Sequence, residues 1–214
     1  PRSCHHCFHG KKDQLKYSYH VAGPSGFREV SRNATLPFEK LFEEACRIVV
    51  DGGFRMAMIA LQDPQSHMLV PVASQGKDAA LLASITAILA SETSASHTMC
   101  VRALQEKRAV VSNHAQDDSQ VLFSAHYVTP GINSMAVFPL IVGDAAVGVL
   151  ALYAGEPDFF HVEELKLLSE LAGDVAFAVD HIEKQERLNY LAYYDALTGL
   201  ANQRLFLERV AQAA

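Results

Sequence analysis

The apolar pattern along this 214-residue chain predicts an α+β domain, an antiparallel sheet sandwiched between helices and followed by a long C-terminal helix. Three observations lead there. Residues 135–142 and 145–153 flank Gly143-Asp144, a pair suited to the two-residue type II′ turn of a hairpin. Both runs are almost continuously apolar, so each strand must be covered on both faces, with helices on either side of the sheet. Past Gly155-Glu156-Pro157 a helical period sets in and holds to about Tyr193.

Residues 1–35 carry Gly23, Pro24, Ser25 and Gly26 and no sustained apolar period, which predicts a loosely ordered lead-in or a tag-like segment. From Leu36 the pattern changes. Leu36, Leu41, Ala45, Ile48 and Val49 share one helical face, and Gly52-Gly53 supplies the stop. Residues 54–61 and 68–73, parted by Asp63-Pro64-Gln65-Ser66, read as a hairpin. The alanine-rich stretch 78–90 and residues 97–107 are helical by propensity, and 109–112 is a short β-branched strand before a polar loop.

The long helix opens with Glu163 and Glu164, where the helix dipole favours carboxylates, and His161 stands near the capping position. Leu168, Ala172, Val175, Val179 and Ile182 then recur at spacings of four and three, the a/d pattern of a coiled-coil seam. Glu186 and Asn189 occupy the next two positions, so the seam slips just before residue 195. The expected organisation is a lead-in at 1–35, a sheet domain at 36–160, a signalling helix at 161–194 and the truncated start of a further domain at 195–214.

Composition narrows the function. With half its residues hydrophobic and a net charge of −6, the chain can bury one sizeable core but offers no basic cluster to a phosphate backbone, so nucleic acid is not an expected partner. Cys4, Cys7, Cys46 and Cys100 are too few and too irregular for a disulfide scaffold, which fits a reducing, cytoplasmic setting. No stretch approaches the roughly 20 apolar residues of a membrane span, and the start at Pro1 lacks the features of a signal peptide.

The most specific segment is Asp195-Ala196-Leu197-Thr198-Gly199-Leu200-Ala201-Asn202. It resembles the opening motif of GGDEF-type diguanylate cyclase domains, with Asp195, Leu197, Thr198, Gly199, Leu200 and Asn202 at all six fixed positions. Gln203 departs from the usual Arg and Ala201 from the frequent Pro. Physically, Gly199 can release the chain from helical geometry and Asn202 can cap a following helix with Leu205, Phe206 and Val210 on its apolar face. The alternative is a helix-turn-helix linker of no special kind. No Gly-Gly-Asp-Glu-Phe sequence follows, so the Mg²⁺ and GTP chemistry implied by the resemblance belongs to a cyclase domain missing from these residues, which are expected to be non-catalytic.

Residues 36–182 resemble GAF domains found upstream of such cyclases. The likeness lies in Gly52-Gly53-Phe54-Arg55-Met56-Ala57, in Val70-Pro71-Val72-Ala73, in Ser134-Met135-Ala136-Val137-Phe138-Pro139-Leu140 and in Leu168-Ser169-Glu170-Leu171-Ala172. GAF domains bind cyclic nucleotides, bilins, haem or small metabolites, or no ligand, so the resemblance does not name a signal. The Asn-Lys-x-x-x-Asp signature of cyclic-nucleotide members is missing. Cys100 lies on the stretch where bilin-binding members attach their chromophore, but Val101 follows it instead of His, and a buried structural cysteine is the favoured reading. A small-molecule site, if present, is implied between the sheet and residues 97–127, with His97, Cys100, His114, His126, Tyr127 and Ser134 as candidate lining. Each has a plainer role open to it as a surface or core residue.

Cys4, Cys7 and His9 form the most metal-like string, although one such knuckle lacks the remaining ligands of a zinc site and adventitious binding is favoured. Asp117-Asp118 reads as a solvated turn. The expected function is that of a regulatory input domain, in which a signal changes the pairing of the 163–193 helix in a homodimer and so governs cyclic di-GMP synthesis. The alternative is a ligand-free dimerisation module of a multidomain signalling protein.

Overall fold

A computed structural model describes residues 36–76, 79–89, 98–122, 124–128, 131–195, 198 and 200–213. Its elements are α1 (Leu36–Asp51), β1 (Met56–Gln62), β2 (Leu69–Gly76), α2 (Ala79–Leu89), α3 (Met99–Glu106), β3 (Val110–Ser112), a 3-10 turn (Ser124–Tyr127), β4 (Ser134–Val142), β5 (Ala145–Ala154), α4 (Val162–Tyr193) and α5 (Gln203–Ala213). The five strands form one sheet in the order β2-β1-β5-β4-β3, and every neighbouring pair is antiparallel. The predicted α+β architecture is therefore present, with element ends moved by one to three residues. Two compact units divide at residues 176 and 177. Among the described residues no helix is long and apolar enough to cross a membrane.

Local chemistry sets the turns. Val142 pairs with Ala145 across the expected two-residue loop, and Gly143 takes φ 59°, which the first central position of a II′ turn requires. At the β1–β2 turn, Asp63 Oδ1 accepts hydrogen bonds from Ser66 N (2.6 Å), Ser66 Oγ (2.8 Å) and Gln65 N (3.1 Å). The two strand prolines stand where no ladder bond is lost: Pro71 is on the edge strand β2, and Pro139 lies past the last β4 residue paired to β3.

Side-chain alternation divides the strands between two layers. Met56, Met58, Met135, Val137, Ala151 and Tyr153 face α2 and α3, which contribute Leu81, Leu89, Met99 and Ala103 to one buried cluster. Their neighbours Ala57, Ile59, Phe138, Leu140, Leu150 and Leu152 point the other way and are just as buried. Helix α1 lies over β1 and β2 on that second face with Phe42, Ala45 and Val49 turned inward. The buried stripe of α4, Leu168, Leu171, Ala172, Val175 and Ala176, is the apolar surface that remains to cover the rest of it.

This placement corrects the seam expected from the sequence. Leu168, Ala172 and Val175 are only 2–3 % exposed within a single chain, so they serve the chain's own core and are not open to a second helix. Val179 is buried as well, and Ile182 is half-buried. Spacings of four and three mark any amphipathic helix lying on a core as well as a coiled coil, and only burial separates the two. The helix also continues unbroken through Glu186 and Asn189, where the repeat slips.

Two glycines give a paired test of this packing. A Cβ on Gly148 would lie 2.5 Å from Ala60 O on the neighbouring strand, whereas one on Gly173 in α4 would meet nothing within 4 Å. Gly148→Ala should lower stability by about 2 kcal/mol or more, and Gly173→Ala should raise it by about 0.5–1 kcal/mol. Urea unfolding midpoints of the two variants check both signs, and an unchanged midpoint for Gly148→Ala would contradict the β1–β5 packing.

Candidate functional site

Between the sheet and the α2–α3 layer lies a cavity of about 30 Å³. Helix α2 supplies Ile85, Ile88 and Leu89; the start of α3 supplies Thr98, Met99 and Cys100. The β3–β4 segment closes it with Val121, Leu122 and Tyr127, and the sheet forms the floor with Met135 and Tyr153. These last two sit opposite one another in the β4–β5 register, which is why alternation delivers both to the same place. Among the described residues none of the lining side chains carries a formal charge.

The polar groups of the lining are hydroxyls and one thiol. The rings of Tyr127 and Tyr153 lie 6.1 Å apart at 32°. Burial holds both phenols above their ordinary range, and each is further disfavoured as an anion by the adjoining Cys100. Burial likewise pushes the Cys100 thiol from 9.0 up to about 12. All three groups thus stay neutral near pH 7. Thr98 Oγ1 is engaged as the N-cap of α3, accepting from Val101 N at 3.3 Å.

A volume of about 30 Å³ accommodates a water molecule or two and is far below the several hundred Å³ of an open metabolite pocket. Its chemistry is that of an apolar compartment with a few neutral hydrogen-bonding groups. A protonated thiol is a poor nucleophile, and among the described lining residues no base stands beside Cys100. Among the described residues no group of three His, Cys, Asp or Glu side chains is placed to hold a metal ion.

Of the six candidate lining residues, Cys100 and Tyr127 reach the cavity. His114 does not: it is largely exposed, with Nε2 3.2 Å from Asp158 Oδ1 on the β5–α4 connection. Ser134 is fully buried on the opposite face, because it precedes Met135 on a strand where successive side chains alternate. His97, the side chain of His126, and Cys4, Cys7 and His9 lie outside the described residues. Tyr153 and Met135 escaped the sequence reading because they sit inside apolar strand runs that signal only core.

Ser134 instead belongs to a polar junction at the end of the sheet. Its hydroxyl donates to Glu156 O (2.6 Å), with Asn113 O as a second acceptor at 3.0 Å, and accepts from Phe159 N (3.4 Å). The Asn113 side chain pairs with the backbone of Phe160 in both directions: Nδ2 donates to Phe160 O at 3.1 Å, and Phe160 N donates to Oδ1 at 3.0 Å. Asn133 Nδ2 donates to Gly155 O at 2.8 Å, and Asn133 N to Ala154 O at 3.0 Å. Three side chains from the two ends of the β3–β4 segment therefore fix the connection that leads into α4.

Comparison with known proteins places this architecture. The profile of the GAF domain family matches residues 35–180. The GAF domain of a phosphoenolpyruvate-protein phosphotransferase from Coxiella burnetii is similar with a TM-score of 0.61 and 11 % identity, over 86 % of this chain and 96 % of that one. The GAF domain region of a putative membrane protein from Geobacter sulfurreducens gives 0.57 and 22 %, over 69 % and 96 %. Free methionine-R-sulfoxide reductase from Neisseria meningitidis, solved with its substrate, gives 0.55 and 16 %, over 69 % and 81 %. At such identities these likenesses speak to the fold alone. Uncharacterized proteins of Mycobacterium tuberculosis and Mycobacterium bovis are 33 % identical over 98 residues, 46 % of this chain, and the match spans 16 % of their length.

The burial of Cys100, only 5 % exposed, makes it a reporter of this packing. In the native chain at pH 8, iodoacetamide should label the Cys100 peptide at least about a hundredfold more slowly than in the urea-unfolded chain. Mass spectrometry of the digested protein measures both rates. Rapid native labelling would mean that the compartment is open to solvent.

Proposed function

The chain belongs to the GAF domain family, regulatory sensory modules of signalling proteins, and from that premise we propose that it is the input region of a diguanylate cyclase. A signal acts at the α2–α3 face, α4 carries the change away from the sheet, and the residues from Asp195 onward begin the output domain. Such a protein works in the cytoplasm as a homodimer, because two cyclase domains, each holding one GTP, must meet to form cyclic di-GMP. The described residues do no catalysis themselves. Mg²⁺ and GTP would be held by the cyclase domain.

The observation that carries this reading is the turn between α4 and α5, where Asp195, Thr198 and Asn202 of the resembled motif have specific structural tasks, Leu197 and Gly199 lying outside the described residues. Asp195 Oδ1 accepts from both Thr198 N and Thr198 Oγ1 at 2.8 Å, and Asp195 N donates to Leu200 O at 2.8 Å. Asn202 Nδ2 donates to Ala192 O (2.9 Å), its backbone N donates to Tyr193 O (2.9 Å), and its Oδ1 accepts from Leu205 N (3.1 Å) as the cap of α5. A bridge between Tyr194 and Ala201 closes the turn. A featureless linker would have no use for Asp, Thr and Asn at these spacings. The exposed Leu188, Leu191, Leu207 and Val210 further support a partner for this end of the chain.

The uncharged lining that the described residues supply favours an uncharged, largely apolar signal over a nucleotide or another anion. To regulate, that molecule must bind two arrangements of the domain unequally. One observation favours a second reading, a ligand-free dimerisation module: at about 30 Å³ the cavity is small for a metabolite.

The test is to express the longer protein that contains these residues and incubate it with GTP and Mg²⁺. Cyclic di-GMP identified by mass spectrometry is the expected product. A folded protein that continues past residue 214 into an unrelated domain and yields none would exclude the cyclase assignment.

A further inference from the structure

We propose that the β3–β4 segment, residues 113–134, couples the cavity to the start of α4, with Asn113 as the positioning residue through which it acts. The proposal rests on the reading of the chain as a sensory module and names the route by which its site would be read out. The middle of the segment is cavity wall, through Val121, Leu122 and Tyr127. Its two ends are the polar junction that holds residues 155–160. The same short piece of chain therefore touches both places.

Hydrogen bonds among its described residues link them into a connected body. Ile132 N donates to Tyr127 O at 3.0 Å, Gln116 Nε2 donates to Ile132 O at 2.9 Å, and Ala115 N donates to Asn133 O at 2.7 Å. Displacing Tyr127 thus reaches Ile132 through the Tyr127 backbone carbonyl and, through the neck formed by Gln116 and Ala115, Asn113 and Ser134. On the receiving side, Asp158 N donates to Asn113 O at 3.1 Å while Asp158 holds φ 53°, a left-handed conformation that costs energy for any residue with a side chain. The Asn113 backbone thereby holds a strained residue three positions ahead of His161, whose carbonyl accepts the bond from Leu165 N in the first turn of α4, and the Asn113 side chain ties down Phe160 between them. Releasing the Asn113–Phe160 pair lets that strain relax and frees the helix start, which supplies the second arrangement that coupling requires.

Hydrogen exchange of the 214-residue chain, read by mass spectrometry at the amides of residues 165–170, tests this without a ligand or GTP. Tyr127→Ala, which alters only the cavity wall, should speed exchange there roughly tenfold. Leu81→Ala, equally buried in the same layer but outside the segment, should not. Asn113→Ala should speed it by itself, and adding Tyr127→Ala to Asn113→Ala should have no further effect. Should Tyr127→Ala fail to fold, Val121→Ala makes a smaller truncation in the same wall and carries the same expectation. Full protection in the wall variants, equal opening by Leu81→Ala, or an additive double variant would each overturn the proposal. Any of these outcomes would leave the cyclase assignment standing, since that is decided by product formation alone.

Discussion

Coverage of the sheet on both faces is the constraint from which the rest follows. From Ser134 to Leu140 on β4 and from Gly148 to Ala154 on β5 the paired residues face one layer or its opposite in turn, and a slip of one position would exchange the two. The register is held by the Gly143 turn at one end and by the close approach of Gly148 to Ala60 O beneath β1. Adjacent residues accordingly have unrelated roles. Tyr153 lines the cavity while Leu152 is buried against the other layer, and Met135 is cavity floor while Ser134 is a structural anchor.

A sheet buried on both sides separates its two layers, so anything sensed in one must travel around the end of the strands to affect the other. The junction of Asn113, Asn133 and Ser134 stands at that end. Its members meet the requirement for burying polar groups, since each has partners with good geometry. The contrast with Ser112 is informative: its hydroxyl is buried without a hydrogen-bond partner among the described residues, only one residue before Asn113. The chain thus carries an unsatisfied group and a left-handed Asp158 next to a well-satisfied polar cluster. Local energetic conflict of this kind is concentrated where structures change state.

Much of the fold was legible because long apolar runs and Gly-containing turns leave few alternatives. The hairpin around Gly143-Asp144, the stop at Gly52-Gly53 and the cap by Asn202 all follow from residue chemistry acting within a few positions. The helix repeat misled for a physical reason, as a stripe that covers a sheet and one that meets a second helix have the same period. The site was half legible: Cys100 and Tyr127 were drawn from the correct region, but polar side chains attract attention that apolar walls do not. Ser134 could have been set apart by counting from Met135, since neighbours on a strand never share a face. Tyr153 required knowledge of the β1–β5 and β4–β5 registers, which no local pattern contains.

If the first half of α4 is core, its inward residues must be indispensable to a single folded chain. Thermal unfolding of Val175→Asp measured across a hundredfold range of protein concentration, on the order of 1–100 μM, addresses this directly. A carboxylate buried at a position only 2 % exposed should lower the midpoint by about 10 °C or more, independently of concentration. A variant that keeps the parent's midpoint and changes only its state of association would show that this face of the helix meets another chain instead of its own sheet.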